Sequence, residues 1–250
     1  MTQQSSQSFI CPLIGDKAPS FTAQTTQGEI HFPEDFKGRW VILFSHPTDF
    51  TPVCTTEFIY FSEMMQDFDS LNTKLVGLSV DSLASHLAWL HAIQKDVVFQ
   101  GMKHVKIEFP LIADLTGQIA RQYCMLHTAS HQTKTVRAVF FIDPDGIIRT
   151  ILYYPSSLGR NFDELKRILI GLQLHDELGV SMPANWQPGD EVIESNPECM
   201  SDLEKRLNEN VSETGAWFLS LKELPIDTIE SVLQKHRKSA PKKDKSVSPV

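Results

Sequence analysis

The chain carries four cysteines, Cys11, Cys54, Cys124 and Cys199, far apart and with no CxxC pair among them. Cys54 has the neighbours that could make a thiol reactive. Its segment, Phe44–Glu57, reads FSHPTDFTPVCTTE. Thr51 followed by Pro52 is a helix start, with a Thr cap and then Pro at the first helical position. Cys54 then falls in the first turn, where backbone N–H groups have no intrahelical acceptor and the helix dipole is positive. A thiolate, the nucleophilic form of cysteine, is stabilised in such a place. Isolated cysteines are usually small apolar packing residues. Here Pro47, Thr48, Asp49, Thr51, Pro52, Thr55, Thr56 and Glu57 instead surround the sulfur with polar and turn-forming groups.

A second chemical signal is Arg137, inside TVRAVFFID. Alternation along a strand puts it on one face with Val139 and Phe141. A guanidinium among such neighbours is costly unless it meets an anion. Two anions are on offer, the Glu57 carboxylate and the Cys54 thiolate, and they are compatible if Glu57 orients Arg137 toward the sulfur. Arg160, in YYPSSLGRN just before a helical pattern, reads from its neighbours alone as a solvated loop cation.

The elements that must position these groups follow from periodicity. Trp40–Ser45, Lys74–Asp81, Pro110–Ala113 and Thr135–Asp143 are short apolar runs of the kind that form strands buried on both faces. Pro144-Asp145-Gly146 is a turn signal leading into an antiparallel strand over Ile147–Tyr154. Helical spacing links Phe58, Phe61, Met65 and Phe68, then Leu83, Leu87 and Leu90, and later Phe162, Leu165, Ile168, Leu169 and Leu172. Strands alternating with helices predict a three-layer α/β domain over residues 10–175. Residues 1–9 read as a flexible N-terminus. From 176 to 236 the chain is rich in proline and too poor in apolar residues to fold alone, with short helices expected at Ser201–Asn210 and Asp227–Lys238. Residues 237–250 read as a disordered tail.

Bulk properties narrow the function. A net charge of −8 argues against nucleic-acid binding and against anionic membranes. No apolar run approaches the roughly 18–20 residues that span a bilayer, and no cationic start precedes an apolar stretch, so a cytoplasmic protein without membrane association is expected. In such a compartment a structural disulfide framework is not expected, and the nine histidines do not join the cysteines in zinc-like spacing. Cys124, on a helical pattern, reads as a packing residue.

The segment FSHPTDFTPVCTTE resembles the active-site signature of the peroxiredoxins, in which Pro, Thr and Cys recur at the spacing of Pro47, Thr51 and Cys54. TVRAVFFIDPDGIIR and YYPSSLGRNFDEL are similar to two further blocks of the family. The His-Pro and TPVCTTE wording is most similar to the one-cysteine, peroxiredoxin-six-like subfamily, over residues 10–200. The resemblance implies a thioredoxin-like three-layer fold with a smaller C-terminal extension, and reduction of hydrogen peroxide and organic hydroperoxides without metal or organic cofactor. It implies that Cys54 is the peroxidatic cysteine, that Thr51 hydrogen-bonds thiolate and peroxide, that Pro47 shields the site, and that Arg137 stabilises the thiolate. It raises Arg160 to a second site arginine, makes Glu57 the residue that orients both, and makes His46 a pocket residue. It also implies homodimers, in some members rings of dimers; residues 176–236, which lack a core of their own, read as the dimerisation region.

The match departs from two-cysteine relatives. No Val-Cys-Pro motif follows the last helix, and SETGAWFLSLKEL holds Trp217 and Phe218 but no cysteine. Cys199, in SNPECM, stands as a displaced resolving cysteine or a bystander. A one-cysteine cycle restored by an external thiol, such as thioredoxin, glutathione or another small thiol, is the expectation. Dithiol exchange would need a second thiol three residues after Cys54, where Glu57 stands, and a serine hydrolase would need a GxSxG elbow that is absent. A chaperone or redox-signalling binder with weak peroxidase activity remains as the alternative.

Overall fold

The structure, a computed structural model, describes residues 11–127, 129–130, 133–209 and 216–239. The flexible stretch expected at 1–9 and most of the tail expected at 237–250 lie outside the described residues; positions 237–239 continue a helix. In chain order the first elements are β1 (Phe21–Thr25), β2 (Gly28–Phe32), β3 (Trp40–Ser45), α1 (Pro52–Glu63), α2 (Met65–Ser70), β4 (Thr73–Ser79) and α3 (Leu83–Asp96). Then come β5 (Val98–Phe99), β6 (Met102–Lys103), β7 (Leu111–Ala113), α4 (Gln118–Gln122), β8 (Arg137–Ile142) and β9 (Ile148–Tyr154). The remainder is α5 (Phe162–Leu178), β10 (Val192–Ile193), α6 (Met200–Glu209), β11 (Leu221–Lys222) and α7 (Ile226–Ser239). Contacts divide the chain into two compact units, one built on residues up to Phe162 and one spanning Asp163–Lys238.

The first unit is a seven-stranded mixed sheet in the order β2-β1-β7-β4-β3-β8-β9. The strands read as continuous apolar runs lie at its centre, with β3 parallel to β4 and β4 to β7, while β8 runs antiparallel to β3. The two faces separate by residue parity. Val41 and Leu43 of β3 join Ala138, Phe140, Ile119, Ala120 and Tyr123 in one core layer, covered by α4. Phe44, one residue on, points the other way and packs on Phe58 and Phe61 of α1. This is the three-layer, thioredoxin-like arrangement that the resemblance implies. The hairpin β1–β2, turning on Gly28 at φ +103°, extends the sheet beyond β7 and was not anticipated.

Two expectations are corrected. The α3 helix does not bury the stripe Leu83, Leu87 and Leu90: Leu87 is 51% exposed, and His86, Trp89 and Ile93 face inward. A polar ring there outcompetes leucine because it finds hydrogen-bond partners inside, as described below. The second correction concerns the cysteines. Cys11 and Cys124 form a disulfide, with Cα atoms 5.5 Å apart, where no structural disulfide was expected. Spacing could not reveal it, because the partners are 113 residues apart and meet through tertiary folding.

The second unit holds the rest of α5, whose buried stripe includes Leu165, Leu169 and Leu174, with β10 and β11 paired antiparallel. The helices foreseen at Ser201–Asn210 and Asp227–Lys238 are present within a residue of those bounds as α6 and α7. Among the described residues no helix is long and apolar enough to cross a membrane.

Candidate active site

β3 ends at Ser45, and the chain crosses from there to α1 through His46–Phe50. Side chains tie this crossing to the start of β8. Ser45 Oγ donates to Val136 O at 2.6 Å and accepts from Ala138 N at 3.1 Å, and Thr135 Oγ1 donates to His46 O at 2.6 Å. The register Phe44–Val139 therefore continues past the strand ends and brings Arg137 alongside the loop that leads to Cys54.

Thr51 is the N-cap of α1 with Pro52 as its first residue, as the sequence predicts, so the N–H groups of Val53 and Cys54 fall among those without intrahelical acceptors. Thr51 does not cap with its side chain: its hydroxyl donates to Thr48 O at 2.9 Å and makes no bond to Cys54. Pro47 is buried, and Cys54 is buried with a free thiol.

Around the sulfur stand three buried ionic side chains. Arg137 Nη1 lies 3.3 Å from Cys54 Sγ and donates to Glu57 Oε2 at 2.6 Å, while Arg137 Nη2 donates to Ser156 O at 2.7 Å. Arg160 grips Glu57 in a two-pronged bond, Nε to Oε1 at 2.9 Å and Nη2 to Oε2 at 2.6 Å, and its backbone N–H donates to Oε1 as well. Its Nη1 donates to Ser45 O and Ala138 O, and its guanidinium lies over Phe44 and Phe61. Burial would push the Glu57 carboxyl up, but the Arg160 guanidinium, its hydrogen bonds and Arg137 outweigh burial and hold it below its ordinary value. Two guanidiniums thus meet one carboxylate, and the cluster carries one positive charge more than it neutralises. Among the described residues Arg137 Nε is buried without a partner, a donor left over.

His46 belongs to a different network. Its Nε2 is 2.9 Å from Asp49 Oδ1, and among the described residues its Nδ1 has no partner, so no bond joins it to Cys54. Asp49 Oδ2 receives His86 Nδ1 at 2.8 Å, and His86 Nε2 reaches Ile112 O at 3.1 Å. Asp81 accepts from Thr48 Oγ1, Asp49 N and Ser79 Oγ. Burial pushes the His46 ring down, against the pull of Asp49. Burial would raise Asp49, but its bonds to His46 and His86 hold it well below the usual carboxylate range. Donor atoms of His46, Asp49 and Asp81 converge within 4.8 Å, the spacing of metal ligands, yet the carboxylates are already engaged by their neighbours and the set reads as a clamp on the loop. Sequence reasoning missed His86 and Asp81; a histidine one position off a leucine stripe was the available signal. Cys199 is exposed in the second unit, with Sγ 3.0 Å from Ser201 Oγ.

Residues 14–151 match the model of the AhpC/TSA family, and residues 171–203 match the C-terminal domain of 1-Cys peroxiredoxin. A peroxiredoxin of Methanosarcina mazei is 54% identical over 215 residues, covering 84% of this chain and 97% of the relative. The chain belongs to the peroxiredoxin family. Its likeness to solved peroxiredoxins extends to the fold: the yeast mitochondrial 1-Cys peroxiredoxin superposes with a TM-score of 0.73 at 39% identity, covering 85% of this chain and 99% of that one. Peroxiredoxin 6 of Arenicola marina, as a cysteine-to-serine mutant, gives a TM-score of 0.73 at 31% identity over 85% of this chain and 98% of that one. This peroxiredoxin is accordingly a thiol-dependent peroxidase of thioredoxin-like fold, with the C-terminal domain of the one-cysteine branch.

Proposed function

We propose that Cys54 is the peroxidatic nucleophile and that Arg137, Arg160 and Glu57 set its charge. The observation that carries this reading is the excess cation: with Cys54 as a thiol the buried cluster holds an unpaired positive charge, and with Cys54 as a thiolate it is neutral. A buried unpaired charge is costly. Arg137 at 3.3 Å from the sulfur is the group that collects the stabilisation.

In this mechanism the thiolate attacks one oxygen of a hydroperoxide, the O–O bond breaks, and the distal oxygen leaves as alcohol or water after taking a proton. Cys54 becomes a sulfenic acid. Arg137 and the α1 N-terminus stabilise the charge that develops on the departing oxygen. The Thr51 hydroxyl, already donating to Thr48, keeps its lone pairs free to accept a hydrogen bond from a peroxide O–H. Pro47 keeps water from the sulfur, and His46 acts through the loop it helps to hold. An external thiol then condenses with the sulfenic acid, and a second thiol releases the enzyme. Thioredoxin or glutathione is the proposed donor; the solved yeast relative is described as resolved through glutathione/thioredoxin systems. Cys199 is not assigned the resolving role; it is exposed, with Ser201 as its neighbour.

We read residues 10–175 as the peroxidase domain and 176–236 as the dimerisation region, whose exposed Met200, Leu207, Trp217, Phe218 and Ile226 suit a subunit contact. The decisive experiment is peroxide consumption with thioredoxin, with glutathione and with a small dithiol, for the wild type, Cys54→Ser and Cys199→Ser. Loss of nearly all turnover in Cys54→Ser and full turnover in Cys199→Ser are expected. Turnover near the wild-type rate in Cys54→Ser would remove the central sulfur, and a Cys54–Cys199 disulfide in the oxidised protein would replace the one-cysteine cycle.

A further inference from the structure

A second pair of sulfurs lies apart from the reaction centre. Cys11 is exposed and Cys124 half-buried. The segment that follows Cys11 and the turn that carries Cys124 are held in place by bonds that do not involve sulfur. On one side Gly15 N donates to Ile148 O, Ile148 N to Asp16 O and Ala18 N to Gly146 O, fixing the incoming segment along β9. On the other, Cys124 takes a left-handed φ of 50° at the end of α4, with Cys124 N bonded to Arg121 O and Met125 N to Ala120 O. A third tie, Tyr123 Oη to Pro19 O at 2.7 Å, binds the two sides to each other. The Cα separation of 5.5 Å is within the range that a disulfide needs.

We propose that Cys11 and Cys124 form a second redox site, a dithiol/disulfide couple oxidised by hydroperoxide and reduced by an external dithiol, that operates independently of Cys54. The exposed Cys11 thiol takes an oxygen from the hydroperoxide, giving a sulfenic acid and an alcohol or water. The Cys124 thiol then attacks Cys11 Sγ, the S–O bond breaks, and water leaves as the S–S bond forms. The couple cannot serve as resolving pair for Cys54, because α4 covers the face of the sheet opposite the one on which α1 packs. Its effect is mechanical: it closes a loop of 113 residues and staples the segment before β1 to α4. Closing so long a loop restricts the unfolded chain strongly.

The test uses the full chain carrying Cys54→Ser, which leaves three thiols, Cys11, Cys124 and Cys199. After reduction and removal of the reductant, a slight excess of hydrogen peroxide is added, free thiols are counted and peptides are mapped by mass spectrometry without reduction. The count should fall from three to one, with Cys11 and Cys124 joined. Added dithiol should restore it, and should lower the melting temperature on the order of 10 °C relative to the oxidised form. In the chain that keeps Cys54, Cys11→Ser should lose that dithiol-dependent shift while retaining the peroxide turnover that depends on Cys54. Three surviving thiols, a Cys199-linked peptide, or a melting temperature insensitive to dithiol would overturn the proposal; so would loss of turnover in the folded Cys11→Ser protein, which would make the couple part of the Cys54 cycle.

Discussion

Two buried polar clusters flank the loop from His46 to Thr51, and they are built on opposite principles. Glu57 with Arg137 and Arg160 is a cluster with a charge surplus, turned toward a sulfur. His46, Asp49 and His86, with Asp81 behind them, form a chain of hydrogen bonds that ends on the Ile112 carbonyl and holds the loop. The first is incomplete without an anion. The second is nearly closed, with one ring nitrogen of His46 left over. Burial of charge alone therefore does not mark chemistry; an unbalanced buried charge does.

The comparison is broken most severely at Glu57. Glu57→Gln leaves two buried guanidiniums with no carboxylate, and removing one partner of such a set costs about 3–5 kcal/mol. Chemical denaturation should show that loss, together with loss of turnover, because both arginines lose their common anchor. A stable Glu57→Gln protein would mean that the arginines are neutralised elsewhere.

Arg137→Ala separates rate from stability. It leaves Arg160 gripping Glu57 in a balanced pair but takes the donor from the Ser156 carbonyl, so stability should fall by only about 1–3 kcal/mol, less than in Glu57→Gln. The rate with hydroperoxide should fall about 10²–10³-fold, the loss typical of removing one donor to developing charge. Alkylation of Cys54 by iodoacetamide at pH 7 should slow in parallel. Equal losses in stability and rate would make Arg137 a structural ion-pair partner and nothing more.

The clamp should respond the other way. His86→Leu takes one of two imidazoles from the Asp49 carboxylate and strands the Ile112 carbonyl, at about 1–3 kcal/mol. Turnover measured on the folded fraction should stay within a few-fold of the wild type. A drop as large as that of Arg137→Ala would move the clamp into the reaction itself.

The sequence disclosed these two clusters unequally, for physical reasons. Cys54 at a helix start and Arg137 in an apolar strand were legible because each breaks a local pattern: polar neighbours where a packing cysteine wants apolar ones, and a cation where the strand wants none. The central strands and the β8–β9 hairpin were legible because local runs and a Pro-Asp-Gly turn encode them. Arg160 looked like a loop cation; only its resemblance to a family position raised it, since its burial comes from Glu57, Ser45 and Ala138, all distant in sequence. His86 was hidden because leucines nearby offered an equally good helical stripe. The Cys11–Cys124 bond was hidden because no local signal reports which remote strands and turns will meet.

The smallest expected effect is the pH response, and it distinguishes the clusters by where it begins. His46 is held below its ordinary value of 6.5 by burial, so the unfolded chain takes up that proton first. The contribution of His46 to stability is complete above about pH 6.5 and is lost as pH falls from there toward its folded value. Glu57 is also held down, against an ordinary value of 4.5, so its contribution starts to disappear only below that point. Melting temperature against pH should therefore decline gently from pH 6.5 and more steeply below 4.5. His46→Gln, which keeps an N–H for Asp49, should flatten the upper decline and leave the lower one. If the upper decline persists in His46→Gln, the proton taken up near pH 6 belongs to another group, and the clamp does not set the acid limit of the fold.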